Sequence, residues 1–509
     1  MDRRVAQGRS RGSGREDGKE QGAHRAPDVG PGPSLATILS VGIGIGLVLV
    51  ALVVYSISKP YRFYDHFEWQ AAAFLEGETA IRYPVEASGS SPGNAFFQDV
   101  MEVPSDDGVP RAVIPFPPLP AVVLVPFVAV FGHDTDGQLL FAAIGAIDVG
   151  VAWWLLGRLP VRRRVQLLGT IFFGFGTVFW YAAQLGTTWY QAHVLAVGLA
   201  MLSIGVALGG DPESAFDEDE LPDDAGAGVR GPPAPGGAFA ATAAYVRAGI
   251  DRRQFVAGLL FGLACTSRLT VVFAAPFLLL VGTGGSWHRR GLSAALGAAI
   301  PLAALVAYNL AATGDPFNPA YDHLYRLEAS FYTPLNYNLA WGIEDPRYLP
   351  QNLGIMLFST PAIAPDVVPA ALGGGEALCL DPAAVRGLFD ANCPLALPRD
   401  TGMSLLLTSP AYMLAWPALR RLWGRSRLVT GSALAVGLIA LVNLMHVSQG
   451  WVQFGYRFSN DFVPWALVLV ALGMERLRTG LGVALAVTLV VVSVAVNLWG
   501  VVWGNLLGW

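Results

Sequence analysis

Asp65, His66 and Glu68 stand within four residues of one another in YRFYDHFEWQAAAFLE (61–76), directly after an apolar run that ends at Lys59-Pro60. Two carboxylates and an imidazole at this spacing are groups that take and give protons. At about 100° per residue, a helix here carries Asp65, Glu68, Trp69, Ala72 and Glu76 on one side and Phe63, Phe67 and Phe74 on the other. The pattern predicts a helix lying flat on a bilayer, phenylalanines in the lipid and acids facing outward. An aspartate at such a helix start can simply complement the dipole. Its pairing with Glu68 on one face, close to lipid, points instead to a functional role.

Other polar residues gather in two further stretches. AAQLGTTWYQAHV holds Gln184, Trp189, Tyr190, Gln191 and His193, and HVSQGWVQFGYRFSNDF holds His446, Gln449, Gln453, Tyr456, Arg457 and Asp461. Arg268 stands in an apolar hairpin, where a charge is costly, and reads as an anion contact or half of a buried ion pair. Arg457 suits an anionic headgroup as well as snorkelling to the interface. His193 and His446 read as interfacial hydrogen-bonding groups rather than metal ligands. Trp189, Tyr190 and Trp451 fit an interfacial aromatic belt. The candidate substrate-binding set is therefore His66, Glu68, Gln191, His193, Arg268, Gln453, Tyr456 and Arg457, beside Asp65.

Two other acidic features compete with this set. His133-Asp134-Thr135-Asp136 contains the D-x-D spacing that holds a metal in nucleotide-sugar enzymes, but it precedes an apolar run, where Asp136 caps a helix; no metal ligands are assigned. Asp148 lies in the middle of AAIGAIDVGVAWW, and an intramembrane carboxylate is a functional candidate by default; the plainer reading is a structural aspartate facing a neighbouring helix. There is no G-x-x-x-x-G-K-[ST], dinucleotide fingerprint, H-E-x-x-H or cysteine-rich metal pattern, which argues against a soluble nucleotide substrate.

The elements that must position these residues are set by lipid. The 509 residues are 53% hydrophobic and 14% charged, against roughly 25% charged in soluble domains. Lys19 and Lys59 are the only lysines, and no basic domain suggests nucleic acid. The expected fold is an all-α polytopic membrane protein of about 11 transmembrane helices, near 34–58, 137–157, 165–183, 189–208, 254–266, 269–284, 291–312, 403–419, 428–446, 462–474 and 480–503. With these spans the arginine clusters at 3/4, 158–164, 247–253, 289/290, 420–427 and 476/478 share one side, which the positive-inside rule makes cytoplasmic. That side assignment requires 115–131 to be a surface-lying or re-entrant segment, and 254–284 to break around Thr266-Ser267-Arg268.

Residues 1–33 read as a disordered cytoplasmic tail, 34–503 as the transmembrane domain, and 504–509 as a C-terminal tail. The domain carries a first outer loop (59–136), an acidic, Pro/Gly-rich cytoplasmic insertion (209–253) and a large outer loop (313–402). Cys265 reads as a buried small hydrophobe. Cys379 and Cys393 flank a polar outer segment and are expected to form a disulfide.

A first span, an outer loop opening with YDHFEWQAAAFLEGE, and PFPPLPAVVLVPFVAVFG before the second span resemble the GT-C superfamily of membrane glycosyltransferases, nearest to the family-39-like protein mannosyltransferases and aminoarabinose transferases. YNLAATGDPFNPAY (308–321) and WVQFGYRFSNDFVPW (451–465) resemble a bacterial branch of that superfamily. The resemblance implies a polyprenyl-phosphate sugar as donor, a glycan, lipid or protein acceptor, and a site on the extracytoplasmic face of the bacterial cytoplasmic membrane, with the N-terminus cytoplasmic. It transfers the catalytic role, general base on an acceptor hydroxyl, to Asp65 alone; family members often carry Glu next, where His66 stands here. An arginine or a divalent cation would stabilise the departing lipid phosphate. Two other readings stay open: a transporter or flippase using Asp148, and an inactive protein that retains the fold.

Overall fold

A computed structural model of the chain describes residues 35–60, 65–82, 100–103, 111–209, 249–283, 285–323, 338–369, 375–422, 426–450 and 452–509. Phe63, Trp451, the tail 1–33 and most of the insertion 209–253 lie outside them. The chain divides into two compact units, Met1–Ile43 and Gly44–Trp509. The described part of the first is the opening of helix α1 (Leu35–Ser58), where Leu35, Ile38, Leu39, Val41 and Ile43 are exposed.

The larger unit is helical. It continues α1 and adds α2 (His66–Leu75), α3 (Leu119–Phe131), α4 (Gly137–Leu156), α5 (Arg163–Phe175), α6 (Phe179–Leu185), α7 (Thr188–Leu208), α8 (Arg252–Cys265), α9 (Trp287–Thr313), α10 (Arg427–Met445), α11 (Val463–Arg476) and α12 (Gly480–Leu506). Helix starts follow from short polar side chains that accept the first orphan N–H groups. Asp136 accepts from Leu139 N at 2.8 Å, Asp251 from Gln254 N at 2.8 Å, and Thr479 from Gly482 N at 3.1 Å. Three short strands, β1 (Ile81–Arg82), β2 (Met101–Val103) and β3 (Arg111–Val113), form an antiparallel sheet in the order β1-β3-β2 beside α2, with Ile81 opposite Ala112.

Six helices (α1, α4, α7, α9, α10 and α12) are long and apolar enough to cross a membrane, seven if α5 and α6, bent by 51°, count as one span. The protein is thus an all-α, multi-pass membrane protein; the other expected spans are shorter or broken among the described residues. The expected span 403–419 is broken into Leu405–Thr408, a 3-10 turn Pro410–Ala415 and Trp416–Leu419. Ser404, Ser409, Pro410 and Pro417 interrupt it, since proline cannot donate to the helical ladder. The stretch 254–284 breaks after Cys265 into a 3-10 turn, Leu269–Ala274, and a short helix, Pro276–Leu280. Helix α3 has 13 residues with Pro126 inside, about 20 Å at 1.5 Å per residue, too short to span. The expected tail 504–509 begins inside α12.

The core forms around α7 and α11. Every residue from Val463 to Met474 of α11 is buried, as a helix apolar all round must be. Helices α8 and α9 approach so closely that a Cβ at Gly258 would lie 2.0 Å from Ala294 O, and one at Gly297 2.0 Å from Phe255 O; small residues are what permit such contact in lipid. Free Cys265 is buried here.

The two ends of the bundle differ in chemistry. At one end Arg162 pairs with Glu475 at 2.8 Å, Arg158 bonds to Gly209 O, and Arg158 and Arg253, Arg290 and Arg427, and Arg476 and Arg420/Arg421 are electrostatic neighbours. At the other end Asn505 donates to Ser58 O at 2.8 Å, Lys59 pairs with Asp136 at 2.5 Å, and the polar stretches singled out above converge.

Candidate active site

Helix α2 does not lie with its phenylalanines in lipid. Phe67 is fully buried, its ring 6.5 Å from that of Phe116, and Phe74 packs edge-on to Tyr308 at 5.9 Å. The helix is clasped between α3 and the end of α9, where Gln70 donates to the Tyr308 hydroxyl at 2.7 Å. Contacts on both faces override the amphipathic pattern. Glu68, expected to face outward, turns into the protein.

Asp65 precedes the helix. Its carbonyl accepts from the N–H groups of Glu68 and Trp69 at 3.0 and 3.1 Å, while its side chain caps nothing and stays half-buried. Burial pushes its carboxyl above the usual aspartate range, and the Trp69 side chain and the charge of His133 oppose that rise. The Trp69 and His133 rings lie 4.1 Å apart and wall this edge of the site.

Glu68 is buried, and Gln191 Nε2 donates to its Oε1 at 3.1 Å. Gly137, the first residue of α4, makes room for it, since a Cβ there would lie 1.5 Å from Oε1 and 3.0 Å from Gln191 Nε2. Oε2 has no hydrogen-bond partner among the described residues. Burial pushes the Glu68 carboxyl up to about 8; the Gln191 bond pulls it down, and the neighbouring charges of Asp65 and Asp136 push it further up. A carboxyl in that range is mostly protonated at neutral pH. His66 Nδ1 lies 2.9 Å from Thr188 Oγ1, and burial lowers the imidazole to about 3, leaving it neutral. Asp136 caps α4 and pairs with Lys59, which accounts for the D-x-D spacing. Among the described residues no three His, Cys, Asp or Glu side chains come together to hold a metal ion.

A second cluster is built on Asp461, fully buried at the end of the 3-10 turn Arg457–Asp461. Arg268 meets it with two bonds, Nε to Oδ1 at 3.0 Å and a terminal nitrogen to Oδ2 at 2.9 Å. Thr270 and Asn443 donate to Oδ2 at 2.8 and 3.2 Å, and His193 Nδ1 lies 3.0 Å from Oδ1. Burial would raise this carboxyl, but Arg268 and His193 hold it far below the usual range. Of the two readings of Arg268, the buried ion pair is the one present.

Arg457 differs. Its guanidinium carbon lies 5.4 Å from the centre of the Phe458 ring and 5.8 Å from that of Tyr190, and no carboxylate pairs with it among the described residues. Its Nε is buried without a hydrogen-bond partner there. In the same two polar stretches of chain, both amide atoms of Gln184 and of Asn460, and the amide oxygens of Gln449 and Gln453, are buried and unpartnered among the described residues. Buried polar atoms are rarely left so; this interior is built to meet water or a polar ligand. Gln453 Nε2 donates to Gln449 O at 2.7 Å, and Tyr456 is buried with its ring 6.2 Å from Phe458.

The two clusters are joined by the first turns of α7. Thr188 and Gln191 reach His66 and Glu68, while Tyr190 and His193 reach Arg457 and Asp461. At about 100° per residue these pairs occupy opposite faces of the helix. The sequence places all of these residues in one outer set; the structure splits them, with Asp65, His66, Glu68 and Gln191 on one side of α7 and His193, Arg268 and Arg457 on the other. Thr188, Gly137, Thr270 and Asn443 went unremarked in the sequence, where nothing in a lone Thr, Gly or Asn distinguishes a contact residue. Asp148 belongs to neither cluster. It is buried in α4 against Gly198 of α7, about 16 Å along the helix from Gly137.

No protein-family model matches the chain, and no curated protein matches it. Among solved structures it is similar to the crystal structure of ArnT from Cupriavidus metallidurans bound to undecaprenyl phosphate, at 15% identity over 92% of this chain and 76% of that one, with a TM-score of 0.44.

Proposed function

We propose that the chain is a membrane glycosyltransferase that moves a sugar from a polyprenyl-phosphate-linked donor to an acceptor hydroxyl at the extracytoplasmic end of the bundle, the end opposite the arginine clusters. The observation that carries this reading is Asp65, a half-buried carboxylate that caps nothing and pairs with no cation among the described residues, beside a second carboxyl that burial keeps neutral. A carboxylate with raised proton affinity is suited to general-base work.

In the reaction, Asp65 takes the proton of the acceptor hydroxyl as its oxygen bonds to the anomeric carbon. The bond from that carbon to the phosphate oxygen breaks, and the polyprenyl phosphate leaves with the electron pair. Arg457 is the guanidinium left to meet that anion, because Arg268 is committed to Asp461. Neutral His66 and protonated Glu68 hold α2 against α7, fixing Asp65 in place.

The test is release of free polyprenyl phosphate from a panel of polyprenyl-phosphate hexoses and pentoses by the protein in liposomes, with a cell-envelope extract as acceptor. Release is expected with the native chain and is expected to fall by about 10²–10⁴-fold in Asp65→Asn, the usual cost of losing a general base. A folded Asp65→Asn protein with full release removes the assignment. One observation favours a transporter instead: Oδ2 of Asp148 has no hydrogen-bond partner among the described residues. Asp148→Asn separates the two readings, being tolerated in the transferase and disabling in the transporter.

A further inference from the structure

The segment closed by Cys379 and Cys393, joined at an S–S distance of 2.10 Å, carries an apolar surface that the proposed reaction does not use. Leu380, Val385, Leu388 and Phe389 are 81%, 87%, 51% and 47% exposed. The segment is nonetheless folded. Cys379 N–H donates to Asn392 O at 2.8 Å, Gly387 N–H to Cys393 O at 2.9 Å, and Arg386 to Pro365 O at 2.8 Å and to the Asp366 carboxylate at 2.7 Å. Its two acids are exposed and cap turns of its own backbone, Asp381 accepting from Ala383 N and Asp390 from Asn392 N, both at 2.9 Å. Apolar side chains held outward by a braced ring mark a surface that meets something apolar.

What it meets is indicated by Trp503, whose indole N–H donates to Leu388 O at 3.1 Å. Trp503 belongs to α12, a candidate span that starts at Gly480 beside the arginine-rich end. It lies about 35 Å along the helix from that start, slightly more than the roughly 30 Å of a bilayer's hydrocarbon. That is interfacial depth, where tryptophan concentrates. The bond therefore holds Leu388 at the lipid boundary, near the depth of the exposed Leu506 of α12.

We infer that segment 379–393 is a membrane-docking element that rests Leu380, Val385, Leu388 and Phe389 in the headgroup–acyl boundary of the leaflet at this end. Such contact is the mode of monotopic anchors, here built from a disulfide-closed loop. It depends on α12 crossing the bilayer and not on the proposed transferase reaction.

The test uses the full chain in phosphatidylcholine nanodiscs, with bimane attached through Val385→Cys and, separately, Phe389→Cys. Lipid brominated at acyl carbons 6 and 7 is expected to quench both labels by about twofold or more, lipid brominated at 11 and 12 less, with aqueous iodide several-fold less effective than on a bimane–glutathione adduct. Iodide quenching equal to that of the adduct, without an effect of brominated lipid, overturns the proposal. So does protection from iodide without lipid quenching, accompanied by disulfide-linked dimers of unlabelled Val385→Cys, which assigns the face to a second copy of the chain.

Discussion

Gln191 donates to Oε1 of Glu68 across 3.1 Å beneath Gly137, and this bond ties α2 to the second turn of α7. It puts a glutamate inside the protein at the point where an aspartate three residues earlier stays at the surface. The two carboxyls are thereby given different proton affinities and different work.

The protonation of Glu68 makes stability depend on pH. The carboxyl rises from 4.5 to about 8 on folding, so between those values the folded state holds a proton that the unfolded state has released. The stabilisation is complete below about pH 4.5 and is lost as pH rises through about 8. Glu68→Gln cannot titrate. Its melting temperature relative to the native protein is expected to rise steadily from pH 5 to 8 in detergent. A difference that stays flat with pH would show that Glu68 is ionised in the fold.

Gly137→Ala should destabilise the protein by roughly 1–3 kcal/mol, the usual cost of overpacking, because the new Cβ would lie 1.5 Å from Glu68 Oε1. In a Glu68→Ala background the same substitution should cost much less, since the space it needs is then vacant. Additive losses in thermal melts of the two single variants and the double variant would place the clash elsewhere.

Asp461 and Arg268 form a buried pair, and removing one partner of such a pair costs roughly 3–5 kcal/mol. The loss should be unequal. The Asp461 side chain is fully buried, whereas Arg268 retains 16% exposure and can turn to water. Arg268→Leu is therefore expected to lower the melting temperature more than Asp461→Asn, which keeps the size and the bonds from Thr270 and Asn443. The reverse order would mean that the cluster is organised around the arginine.

Sidedness is checked by labelling intact cells with an impermeant thiol reagent. Arg347→Cys, 56% exposed at the end carrying the candidate site, is expected to react. Arg478→Cys, 77% exposed among the arginines of the other end, is expected to react only after permeabilisation. The opposite result would move Asp65 to the cytoplasmic face.

The sequence by itself determined what depends on neighbours along the chain. Apolar length set the positions of α1, α4, α7, α9, α10 and α12, because a bilayer asks for one number, about 20 residues. Thr266-Ser267-Arg268 marked a real break, and Asp136 a real cap, since turns and caps are local chemistry. Clustering at one end was legible too, because lipid forbids most polar residues elsewhere. Tertiary structure decided the rest. Broken segments such as 405–419 pass for spans in composition, and only their packing against α11 and α12 satisfies the interrupted backbone. Helix periodicity sorted α2 into a wet face and a lipid face; contact with α3, α7 and α9 engages both and buries Glu68, turning it into a neutral internal group. The partners of Arg268 and Asp461 lie 193 residues apart, a distance over which sequence spacing carries no geometry. Which arginine is paired and which is left for an anion follows from that contact alone.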